Sequence, residues 1–204
     1  MFDQQIQKPR RRQPVRNTEP ASPPVWPMPT LNGRAPVVIP SSSKSPGLDL
    51  AYQRANVSEL LATYPVDGAN GTARHFMPNM MPAFAVRDGV IMHAGKQAHG
   101  YAVVVDHRNG WATYYTNLEF MFATPTDREP RRAPARVKAG DALGYIGAPA
   151  PGAFKCLHFE LWKRDEESHF VAVDPSEEMS SWLVLPWTDE RLTPVESDVN
   201  QKAA

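Results

Sequence analysis

Val137-Lys138-Ala139-Gly140-Asp141-Ala142-Leu143-Gly144-Tyr145-Ile146-Gly147, followed after a short loop by Cys156-Leu157-His158-Phe159-Glu160-Leu161, is the stretch on which the reading of this chain turns. Its first half reads as a turn and a short apolar strand punctuated by Gly140, Gly144 and Gly147. The second half alternates, with Leu157, Phe159 and Leu161 to one side and Cys156, His158 and Glu160 to the other. Such period-two alternation predicts a half-buried strand. A thiol, an imidazole and a carboxylate then share one face, spaced so that they can converge on one metal ion or one substrate.

Upstream of that stretch the signals are also those of strands. Tyr101 to Asp106 is a near-continuous apolar run and Trp111 to Tyr115 a second one. Between them Arg108-Asn109-Gly110 supplies a hairpin turn, because Asn-Gly accepts the positive φ angles such a turn demands. Thr124 to Arg136 is a Pro- and Arg-rich insertion carrying Arg128, Arg131, Arg132 and Arg136, and it reads as a solvated loop.

The ends differ in character. Residues 1–47 hold a basic cluster from Lys8 to Arg16 and ten of the chain's 21 prolines. Such a composition buries too little apolar surface to offset the entropy of ordering, so a disordered arm is expected. Over 48–64, Leu50, Val57, Leu61 and Tyr64 recur at helical spacing, with Asp49 as a cap and Pro65 as a stop; a helix is expected. Residues 178–204 form a tail whose apolar patch, Trp182 to Trp187, is expected to pack on the domain.

The totals exclude several classes of function. The 204 residues include 22 basic and 22 acidic ones, so no global field favours nucleic acid or a membrane surface. Cys156 is the only cysteine, which rules out an intramolecular disulfide. No apolar run approaches the roughly 18 residues of a membrane span. The N-terminus has no hydrophobic segment of signal-peptide type. Export by another route, or travel within a larger particle, is the corresponding expectation.

Four segments in order resemble the LytM-type domain of M23 zinc endopeptidases, which cut peptidoglycan cross-bridges. Pro65-Val66-Asp67-Gly68 is similar to that family's entry motif, and Pro82-Ala83-Phe84-Ala85-Val86-Arg87-Asp88-Gly89-Val90-Ile91 to its central strand pair. The opening stretch resembles its Gly-rich strand and Leu-His-Phe-Glu segment, and Val173-Asp174-Pro175 its close. The resemblance covers about 65–176. It implies an all-β, barrel-like β-sandwich (a duplicated hybrid motif) over 65–177, here preceded by the helix and the arm.

The resemblance also assigns the site. The family's zinc is held by His-x-x-x-Asp and by the last His of His-x-His; two further His assist the attacking water. Position by position, His158 falls on the third ligand, Cys156 on the first His of His-x-His, and Asn117 on the other catalytic His. Counting back from Pro82 without gaps puts Arg74 on the ligand Asp and Asn70 on the ligand His. Arg74 cannot act as an anionic ligand, and Asn117 cannot move a proton near neutrality. One of the five positions is kept, so the expected function is non-catalytic. The chain would serve as a peptidoglycan-binding, hydrolase-regulating or structural module of a wall-associated or envelope-penetrating assembly. Its partners would be peptidoglycan, a wall hydrolase or other subunits, and its binding groove would be bordered by Arg74, Asn117, Cys156 and His158. The alternative is a divergent zinc endopeptidase whose metal is held by His75, Cys156 and His158, thiolate being a good zinc ligand. His107 reads as structural, His93 and His99 as solvent-exposed loop positions near the strand ends that border the groove, with a place lining it as the alternative, and His169 as a loop residue.

Overall fold

A computed structural model describes residues 22–39, 46–56, 58, 59, 61–66, 70–98, 100–123 and 135–188. The strands are β1 (Thr30–Leu31), β2 (Val37–Ile39), β3 (Leu48–Gln53), β4 (His75–Phe76), β5 (Pro82–Phe84), β6 (Gly89–Gln97), β7 (Gly100–Asp106), β8 (Trp111–Met121), β9 (Arg136–Val137), β10 (Ala142–Ile146), β11 (Leu157–Arg164), β12 (Phe170–Val173) and β13 (Pro186–Trp187). One short helix, α1 (Ser176–Met179), follows β12. The architecture is all-β, as expected. The large sheet runs β2-β3-β11-β8-β7-β6-β9, and its pairings are antiparallel.

The alternation along β11 translates directly into packing. Leu157, Phe159 and Leu161 are buried against Tyr115, Leu118 and Trp182, while His158 and Glu160 face the other way, half-buried. β8 is the longest strand and bridges two parts of the fold. Its first half pairs with β11, and its last residues, Leu118 to Met121, pair with β10. The β7–β8 hairpin closes over Arg108-Asn109-Gly110 as expected, but the positive φ angles fall on Arg108 and Gly110 (61° and 88°) and not on Asn109.

His107 is structural. Its Nδ1 lies 3.0 Å from the Asp88 carbonyl and its Nε2 2.9 Å from Thr113 Oγ1. Thr113 in turn contacts the Tyr115 hydroxyl, which accepts the Val86 N–H. A neutral ring with its proton on Nδ1 satisfies every member of this chain. Burial lowers its pKa, consistent with that state.

Two expectations fail at the N-terminal side. The segment 48–64 does not form a helix: Leu48–Gln53 is β3, paired with β2, β11 and β4. The described residues of 54–66 form turns. The reason is Arg54. It is 4% exposed and donates to the carbonyls of Thr72, Glu59 and Tyr64, a set of partners that only a looped chain can bring together. Val57, one of the residues of that expected helix, lies outside the described residues. The arm is also not wholly unstructured. Val25, Met28 and Leu31 are buried, and β1 pairs in parallel with β13. Extended segments rich in proline can still dock where a neighbouring strand supplies the hydrogen bonds; here Trp26, Thr30 and Asn32 donate to Leu183, Leu185 and Trp187. Residues 1–21, 40–45, 124–134 and 189–204, including Arg128, Arg131 and Arg132, lie outside the described residues. Trp182 is buried, as expected of the tail, whereas Trp187 is 39% exposed. Arg136 belongs to β9 and not to a loop.

Candidate functional site

Three adjacent strands build the site. Register sets Asp49 of β3 and Thr116 of β8 on either side of His158 in β11. Glu160, two residues on, faces the same side as His158. His158 Nδ1 lies 2.7 Å from Asp49 Oδ1, and its Nε2 lies 3.1 Å from Glu160 Oε1. The second oxygen of Glu160 accepts the indole N–H of Trp162 at 2.6 Å, and that indole stacks on Tyr114, 5.5 Å between centroids.

The two carboxylates, Asp49 foremost and then Glu160, raise the His158 pKa to about 9 despite the opposing effect of burial. The ring is therefore an imidazolium at neutral pH. Both nitrogens donate, and neither offers a lone pair.

Cys156 is buried immediately before β11. Burial, and secondarily the Asp49 carboxylate, push its thiol up to about 12. Asn117 Nδ2 donates to the Cys156 carbonyl at 3.2 Å and lies 3.6 Å from its sulfur. Asn117 itself sits at φ 64°, a conformation asparagine tolerates better than most residues. Its carbonyl accepts the Gly147 N–H at 2.6 Å. Asn117 and Cys156 are thus in contact, and His158, two residues beyond Cys156, pairs with Asp49 and Glu160.

Arg74 does not join them. It is exposed in the turn before β4; its carbonyl accepts the Arg54 N–H, and its own N–H is held by Thr72 Oγ1. Asn70 does not point to a ligand set either, since its amide donates to Asn79 Oδ1 at 2.9 Å. His75 lies in β4 opposite Gln53, four places along β3 from the Asp49–His158 register, or roughly 13 Å at about 3.3 Å per residue. Among the described residues no three His, Cys, Asp or Glu side chains are grouped to hold a metal ion, so the His75/Cys156/His158 set is not assembled. His93 is half-buried in β6 opposite Val104, and His99 lies outside the described residues.

Sequence reasoning missed two groups. One is Asp49, read as a helix cap. The other is a polar relay beside Cys156: Lys155 Nζ donates to Asn79 Oδ1 at 3.0 Å and to Glu119 Oε2 at 2.7 Å. Only the fold brings these positions together, so no spacing rule could have found them.

Gly47 closes over the imidazole. A Cβ there would lie 2.7 Å from His158 Nε2 and 2.7 Å from Glu160 Cγ. Gly47→Ala should therefore displace the ring or its carboxylate and cost about 1–3 kcal/mol, as overpacking does. The check is an NMR titration of His158, whose pKa should fall from about 9 towards 6.5; an unmoved titration would contradict the geometry.

Comparison with known proteins gives a consistent result. The model of peptidase family M23 matches residues 70–175. The cell division protein DipM of Caulobacter vibrioides is 35% identical over 123 residues, which are 59% of this chain and 17% of that protein. The DD-carboxypeptidase/endopeptidase Mpg of Neisseria meningitidis is 30% identical over 84 residues, 41% of this chain and 17% of that one. The chain thus spans about a sixth of the length of the curated relatives it matches. Among solved structures, one described as a glycyl-glycine endopeptidase LytM of Ruminococcus gnavus superposes with a TM-score of 0.53 at 16% identity, covering 81% of this chain and 64% of that one. At that identity the likeness concerns the fold alone.

Proposed function

Because the chain belongs to peptidase family M23, we propose that it is a non-hydrolysing member. In this reading it engages peptidoglycan, or a wall hydrolase acting on it, as a binding, regulatory or structural module of a wall-associated assembly. The observation that carries this reading is the state of His158. It stands at the one zinc-ligand position kept from the family pattern, and both its nitrogens are committed to carboxylates. A zinc site needs three deprotonated ligands and an open position for water. The residues here do not fit that group: both nitrogens of His158 are taken by carboxylates, Asn117 is a neutral amide, and among the described residues no three His, Cys, Asp or Glu side chains are grouped to hold a metal ion. Asn117 and Cys156, at the positions of the water-assisting histidines, cannot exchange a proton near pH 7. No helix of the described residues is long and apolar enough to cross a membrane.

The test has two arms. Purified protein supplied with zinc should retain less than 0.1 equivalent, roughly, after desalting and should release no product from cross-linked muropeptides. The same protein should sediment with intact sacculi or be retained by a wall hydrolase. Chelator-sensitive turnover that His158→Ala abolishes would instead establish the alternative, a divergent zinc endopeptidase. Failure of both binding assays would remove the wall-module reading.

A further inference from the structure

Phe120, Phe122 and Tyr145 form an aromatic platform at the far end of the strand that carries Asn117. Phe120 and Phe122 are 51% and 49% exposed, uncommon for such rings. Their centroids are 5.4 Å apart, and Tyr145 lies 6.1 Å from Phe120 and 5.0 Å from Phe122. The three rings touch each other and remain open to solvent. The backbone beneath them is fixed: Tyr145 pairs with Phe120 on one side and with Pro82 on the other, over buried Leu118, Leu143 and Ile146. A contiguous exposed apolar patch on a rigid sheet marks a contact surface.

We propose that this platform binds the sugar rings of the wall glycan. The proposal rests on the reading above that the chain contacts peptidoglycan. Three observations select a sugar over other occupants. The rings carry no charge, whereas their faces are electron-rich and suit the polarised C–H groups of a pyranose. The adjacent residue Glu119 and its partner Lys155 stand at the border, an acceptor and a donor of the kind that sugar hydroxyls require. The platform is also continuous with the candidate groove. Asn117 and Phe120 lie on one strand, roughly 10 Å apart at about 3.3 Å per residue. A polymer whose peptide branch lay in the groove would thus carry its glycan across the rings.

The test uses the full chain, peptide-free glycan strands cut from sacculi by amidase, and isolated stem peptides. Native protein should bind the glycan strands. Phe120→Ala and Phe122→Ala should each lose tenfold or more of that affinity with stem-peptide binding unchanged, and Phe122→Trp should restore the native value. If an alanine variant fails to fold, Phe122→Leu, which keeps apolar volume without a ring, serves in its place. Native protein that ignores glycan strands, or ring-deleted variants that bind them as the native chain does, overturns the proposal. Sedimentation with intact sacculi separates the two levels. When the glycan-strand arm fails, native protein that still sediments excludes only the platform; native protein that neither sediments nor is retained by a wall hydrolase takes the wall-module reading with it.

Discussion

Arg54→Ala should destabilise the domain by about 3–5 kcal/mol, the range found when one member of a buried charged network is removed. The side chain is 4% exposed, and its guanidinium donates to Thr72 at 2.8 Å, to Glu59 at 2.5 Å and to Tyr64, all through main-chain carbonyls. It also lies 5.5 Å from the centroid of Phe76, on which Tyr64 stacks. Truncation withdraws the guanidinium donor from three carbonyls and opens a void beside Phe76. Lysine is no substitute, because a single ammonium cannot reproduce the planar fork that reaches three acceptors. Thermal and urea unfolding would measure the effect, with the melting temperature falling by about 6–20 °C. A loss below about 1 kcal/mol would show that the loop finds other donors.

The second large effect depends on pH. His158 titrates near 9 in the fold against 6.5 ordinarily, so the folded state binds its proton more tightly. The sign follows from linkage. Below pH 6.5 the ring is protonated whether the chain is folded or not, and the contribution is complete. It is lost as pH rises through 9. The difference corresponds to about 3 kcal/mol at roughly 1.4 kcal/mol per pH unit. His107 works in the opposite sense: burial lowers its pKa, so its contribution is lost as the solution becomes acid enough to charge it. Unfolding experiments should therefore show stability falling between about pH 6.5 and pH 9 in native protein. Asp49→Asn should be less stable at neutral pH and much flatter across that range. Parallel curves for the two proteins would show that Asp49 does not hold the proton.

How far the sequence could be read depended on where each residue's partners lie. The β11 alternation and the Arg108-Asn109-Gly110 turn are local signals, and both strand and hairpin formed where expected. Asn117 and Cys156 meet because β8 and the start of β11 are neighbours in the sheet, and His158 follows on β11 itself. The helix expected over 48–64 illustrates the opposite case. Leu50, Leu61 and Tyr64 have helical spacing, yet Leu50 is buried from β3 whereas Tyr64 is buried by stacking on Phe76. Nothing in that window shows that Arg54 will prefer carbonyls contributed by the loop around it. Asp49 was hidden for a similar reason, since its partner His158 lies 109 residues away. Arg74, reached by counting back from Pro82 without gaps, lies in the turn before β4 and not beside His158, a separation that only the strand register reveals.

The pairing of β1 with β13 bears on how the chain is made. The Trp26 indole binds the carbonyl of Met179, 153 residues further on, and Thr30 waits for Leu185. At a ribosomal rate of about 5–20 residues per second, that interval lasts roughly 8–30 seconds. Tyr52, Phe84 and Val86, which also bond this stretch, emerge earlier, but throughout the interval Met28 and Leu31, destined for the core, lack the strand that pairs with their own. Pro23, Pro24, Pro27 and Pro29 lie in this same stretch, and each lacks the N–H that edge-to-edge pairing needs. The proline content that marks the segment as irregular would then keep it from aggregating until the end of the chain emerges to receive it.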